Sequence, residues 1–188
     1  NSKNLSWFGA KDELESALKS LYESNGKDCR ISIAEFRGEK LEQNYAASIK
    51  AFYLKLPKTK KSNPSTINDG VNMILDYCKA YKISTPSLIT YDGNEYCLTW
   101  ILKESLSGFS SVGLWKKIQT FLAERFFYFL DERLYVRDGK SLPDRFVEAH
   151  CQVTAMLRVP GFLNTQTKGV DLFNAGEKVQ IVFNSEKR

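Results

Sequence analysis

The feature that most restricts this fold is a turn. Asp92-Gly93-Asn94 separates two runs rich in β-branched and aromatic residues, SLITY and YCLTWIL. An Asp-Gly step between such runs is a strong hairpin signal, because glycine takes the positive φ of a tight reversal without steric cost. Antiparallel pairing in mid-chain argues against a doubly wound sheet made only of parallel crossovers.

The remaining segments extend that reading. Residues 8–22 place Leu14, Ala17, Leu18, Leu21 and Tyr22 at helical spacing, ended by Asn25-Gly26. Residues 29–37 read as a strand through Ile31, Ile33 and Phe36, and residues 49–56 as another, stopped by Pro57. A helix over 66–81 has Val71, Ile74, Leu75 and Cys78 as its apolar face. A strongly apolar helix over 112–130 is expected to turn Leu114, Ile118, Phe121, Leu122, Phe126 and Phe129 to the core. Pro143 opens a helix over 143–156, and KVQIVF near the end alternates as a last strand. The order α-β-β-α-β-β-α-α-β predicts an α+β domain, with helices flanking a mixed or antiparallel sheet. One domain over residues 1–188 suits the length and the 43% hydrophobic content. There is no initiator Met, and the charged end NSEKR suits a domain boundary, so the chain reads as the N-terminal part of a longer protein.

Composition removes several functions. Four cysteines, Cys29, Cys78, Cys97 and Cys151, show no C-x-x-C spacing, and there is one histidine, His150. No tetrahedral zinc motif can be written, and reduced, buried thiols are the expectation. P-loop, G-x-G-x-x-G and G-x-S-x-G motifs are absent, and a lone histidine argues against a Ser-His-Asp or Cys-His site. No apolar run is long enough for a transmembrane helix and no signal-peptide core is present, so a cytoplasmic location without membrane partners is expected. The net charge is +5, which permits nucleic-acid binding without requiring it. Lys50, Lys55, Lys58, Lys60 and Lys61 fall in one stretch without acids. That run is equally consistent with a solvated loop and with a phosphate-contacting patch.

Two segments carry more. PSLITYDGNEYCLTWIL (86–102) and LRVPGFLNTQTK (157–168), in that order and separated by an apolar helix, resemble the archaeo-eukaryotic primase family, as found in replication proteins of plasmids, phages and mobile elements. The resemblance is strongest over residues 45–170 and implies a primase-polymerase-like core. Members of that family read D-S-G-x-G-x-H-x-Y-W in the first segment and L-R-x-P-G-T-x-N-x-K in the second, with a D-x-D strand upstream and an acid before the second. Nucleotidyl transfer explains the acids, since divalent cations that bridge phosphates need carboxylate oxygens. Gly93, Trp100, Arg158, Pro160, Gly161, Asn164 and Lys168 match. The catalytic positions do not: Lys55 and Pro57 stand at the D-x-D, Cys97 at the histidine and Gln152 at the later acid.

The resemblance therefore implies a catalytically inactive primase-like scaffold that serves as the DNA-binding domain of a replication initiation protein. No metal or other cofactor is expected. DNA is the implied partner, with a helicase or polymerase as a further one. Lys50, Lys55, Lys58, Lys60, Lys61, Arg158, Asn164 and Lys168 are the candidate phosphate contacts. Plain alternatives stand beside them: Arg158 pairing with an acid, Asn164 capping a turn, Lys168 as a surface charge, Trp100 in the core. Two other functions stay open. One is an active primase or polymerase using Mg or Mn, with Asp69, Asp92 or Glu95 relocated into the site, although turn acids such as Asp92 and Glu95 are more often solvated. The other is a module that recruits replication proteins through an apolar helix face.

Overall fold

The computed structural model describes Ser16 and residues 29–38, 40–57, 66–108, 110–132, 143–162 and 178–185. The chain runs β1 (Arg30–Ser32), β2 (Ala34–Phe36), a 3-10 turn (Gln43–Tyr45), β3 (Ala46–Pro57), α1 (Ile67–Ala80), β4 (Leu88–Tyr91), β5 (Glu95–Ser107), α2 (Ser111–Glu132), α3 (Pro143–His150), β6 (Met156–Arg158) and β7 (Gln180–Asn184). The Asp92 hairpin forms as expected, and Gly93 takes φ +91° at its tip.

A five-stranded sheet has the order β2-β3-β5-β4-β7, with every neighbouring pair antiparallel. A separate ribbon pairs β1 with β6. Mixed helices and antiparallel strands are thus the observed fold class. Along β3 and β5 the side chains alternate between faces. Leu54, Leu56, Tyr96 and Leu98 are buried on one face. α1 lies over it so closely that a Cβ on Gly70 would stand 2.3 Å from the Tyr96 ring. Thr66 and Asp69 start α1 with a reciprocal capping box. Asp69 is therefore a structural cap and does not enter the site discussed below.

The edge of β3 shows how α2 is held. β2 pairs only with the first residues of β3, from Ala46 to Ile49. Beyond them, side chains replace a strand. Trp115 Nε1 donates to the Ala51 carbonyl at 2.9 Å, and Gln119 both accepts from the Tyr53 N–H at 3.3 Å and donates to the Tyr53 carbonyl. His150 Nε2 lies 3.2 Å from the Lys55 carbonyl. Residues 51, 53 and 55 present their backbone groups on this side, so three side chains close an edge that would otherwise be open.

Three expectations change. The helix from Pro143 ends at His150, and the residues after the following turn form β6, because they pair with β1. The strand expected over 29–37 is divided at Ile33 between the ribbon and the sheet. On α2, Leu122, Phe126 and Phe129 are buried, but Leu114, Ile118 and Phe121 are 50%, 37% and 47% exposed. The helix carries apolar residues on more of its circumference than one sheet edge can cover. The helix expected over 8–22 lies outside the described residues.

Candidate functional site

Register brings the site together. Lys55 on β3 is opposite Cys97 on β5, which is opposite Thr90 on β4, so the three side chains form a row across one face of the sheet. The β4–β5 turn adds Asp92 and Glu95, and β6 adds Arg158 beside Leu157. These groups surround a cavity of about 10 Å³, room for roughly one water.

The charges within it are matched to one another. Asp92 is buried, contrary to its expected solvation. Its Oδ1 accepts from the Asn94 and Glu95 N–H groups, each at 2.9 Å, forming an Asx turn. Its Oδ2 accepts from Arg158 Nη1 at 2.7 Å, with the two side chains only 15% and 6% exposed. Glu95 Oε1 lies 3.1 Å from Lys55 Nζ and 3.9 Å from Arg158 Nη1. Two cations thus hold two carboxylates, and the plain alternative for Arg158, pairing with an acid, is realised at a hairpin.

Cys97 adds no charge. Burial pushes its thiol up to about 12, against the pull of the Lys55 ammonium, so it is protonated at neutral pH. His150 sits behind Lys55, with Nδ1 2.7 Å from the Phe146 carbonyl and Nε2 facing the Lys55 carbonyl. Burial lowers its pKa from the usual imidazole value, while the two carbonyls and Glu95 oppose that and Lys55 adds to it.

A divalent metal does not suit this donor set. The Lys55 ammonium stands in the row of side chains that faces the cavity, and both nearby acids are engaged by cations. Among the described residues no three His, Cys, Asp or Glu side chains lie close enough to hold a metal ion.

The other candidates fall elsewhere. Gln152 is outside the cavity: its carbonyl accepts from Tyr53 Oη at 3.4 Å, and it lines a separate open cleft of about 350 Å³ with Gln43, Lys116 and Glu148. Lys50 is exposed on β3, five residues from Lys55 and thus roughly 17 Å along the strand. Pro57 ends β3 opposite Glu95. Trp100 is buried and donates to the Ser84 carbonyl at 2.7 Å, as a core residue. Lys58, Lys60, Lys61, Asn164 and Lys168 lie outside the described residues. Arg30 was not a candidate, yet pairing of β1 with β6 sets it opposite Arg158. No local signal marks it, since its neighbour is remote in sequence.

Among the described residues no helix is long and apolar enough to cross a membrane. No protein-family model matches the sequence, and no curated protein matches it. Among solved structures, it is similar to the AEP domain of the primase-polymerase of cyanophage S-2L. The identity is 14% and the TM-score 0.50, over 94% of this chain and 69% of that one. At that identity the likeness concerns the fold, and the fold of this chain is distantly primase-like.

Proposed function

We propose that this chain is the DNA-binding domain of a replication initiation protein from a plasmid, phage or mobile element, on a primase-like scaffold that no longer transfers nucleotides. The observation that carries the reading is Lys55. It stands on the strand where the resemblance expects metal-binding acids, and its ammonium forms an ion pair inside the site. A cation there opposes metal binding and favours phosphate. The net charge of +5 supports the same partner. In this reading the domain forms part of a longer protein, acts in the cytoplasm and uses no metal.

A gel shift with origin-like duplex and with single strand, at low and high salt, tests it. Binding that weakens steeply with salt is expected. No shift at low salt would sink the proposal.

Asp92 and Glu95 converge on the cavity, and this favours a second reading, a divergent primase or polymerase with relocated carboxylates. Primer synthesis with Mg or Mn, abolished in the Asp92→Ala/Glu95→Ala double variant, would establish it. The exposed Leu114, Ile118 and Phe121 of α2, with Tyr128 on the same helix, support a protein partner such as a helicase or polymerase. Co-sedimentation with such a partner, lost in Phe121→Asp, tests that role.

A further inference from the structure

One stripe of α2 faces outward along several turns. Leu114, Ile118, Phe121, Arg125 and Tyr128 follow one another at alternating spacings of four and three residues. That is the spacing of a seam that packs against a second helix. All five are exposed, Leu114 by 50%, Phe121 by 47% and Tyr128 by 49%. Arg125 does not interrupt the apolar surface, because its guanidinium lies over the rings of Phe121 and Tyr81, 5.4 and 5.8 Å from their centroids. On one side the stripe is bordered by Trp115, Leu122 and Phe129, which are buried against the domain. On the other it is bordered by Lys117 and Glu124, both exposed. These two stand seven residues apart, about 10 Å along the helix, too far to pair with each other.

We propose that this stripe is the interface of a two-fold dimer, in which α2 packs antiparallel against α2 of a second copy of this chain. The proposal goes beyond the nucleic-acid reading and does not depend on it. A two-fold interface joins the same patch of both copies, so the patch must complement itself. An axis passing between Ile118 and Phe121 achieves this. Ile118 then meets the partner's Phe121, and Leu114 meets the apolar stem of the partner's Arg125. The same axis sets Lys117 beside the partner's Glu124, and Glu124 beside the partner's Lys117. One operation thus makes two ion pairs that α2 cannot make within itself. Charges flanking an apolar seam set the partner and the orientation of paired helices. A parallel pair fails on both counts. It stacks Arg125 on the partner's Arg125, and it turns the Lys117 and Glu124 flank toward the partner's Trp115 and Leu122.

Sedimentation equilibrium of the full chain over a concentration series tests this, with circular dichroism to follow folding. The parent should dimerise reversibly. Phe121→Asp should stay folded, since the side chain is exposed, and be monomeric throughout. Lys117→Glu and Glu124→Lys should each raise the dissociation constant about tenfold, because every dimer then holds two like-charge contacts. The double variant Lys117→Glu/Glu124→Lys should return to the parent's value. A monomeric parent overturns the proposal and leaves the stripe to residues 8–22 or to another protein. A dimer that Phe121→Asp leaves intact overturns it as well, because the contact then lies on another face. Single reversals without effect, or a double variant that fails to recover, overturn the antiparallel pairing.

Discussion

Replacing Gln119 with leucine tests the idea that side chains close the β3 edge. Gln119 is fully buried, and its amide makes both an accepting and a donating bond to the backbone of Tyr53. Leucine has nearly the same volume, so packing changes little and the loss is polar. Two buried backbone groups, one N–H and one carbonyl, lose their partner together. Each orphaned group costs about 1–3 kcal/mol. A loss of about 3 kcal/mol is expected, a large part of the 5–15 kcal/mol typical of a whole domain. For a chain of this size that lowers the melting temperature by roughly 6–12 °C. Urea unfolding followed by circular dichroism measures it, and the midpoint should fall with an unchanged slope. Gln119→Glu should be nearly as damaging at neutral pH, because a carboxylate faces the Tyr53 carbonyl, and it should recover in acid as that group protonates. A cost under about 1 kcal/mol for Gln119→Leu would refute the edge-closing role, since that is less than one unpaired group.

Further predictions concern the site and its support. His150 is the single histidine and its pKa is lowered by burial, so the unfolded chain binds the proton more readily. Stability should be full above about pH 6.5 and fall below it, by up to about 1.4 kcal/mol per pH unit until the folded ring itself titrates. The slope between pH 6.5 and 5.5 should vanish in His150→Gln; persistence of the slope would count against the assignment. A double-mutant cycle on Arg158→Met and Asp92→Asn should give a coupling of about 1–3 kcal/mol, since the pair is shielded from solvent. Additivity within about 0.5 kcal/mol would mean that the pair contributes nothing. Cys97, with its thiol pushed up to about 12, should resist a disulfide-exchange reagent at pH 8 in the native state and react on unfolding. Rapid native-state modification mapped to Cys97 by mass spectrometry would contradict that environment.

The hairpin, α1 and the last strand were legible because their signals are local. Asp-Gly at a reversal, an apolar stripe at helical spacing and strict alternation each act over a few residues. β6 was not legible: Met156-Leu157-Arg158 is too short to show a period, and its strand geometry comes from β1, far away in sequence. The outward placement of Leu114, Ile118 and Phe121 was hidden for a related reason. Periodicity marks an apolar stripe but not how much of it a neighbour covers.

The site divides along the same line. The residue identities, with Lys55, Pro57 and Cys97 where a primase-like pattern calls for two acids and a histidine, were determined by the sequence alone. Tertiary structure decided the charge state of the place they make. It buried Asp92 under Arg158, set Lys55 on Glu95, moved Gln152 to another cleft and put Arg30 opposite Arg158. Ion pairing depends on separations of a few ångströms. Those separations come from strand register between distant segments, and no local pattern encodes them.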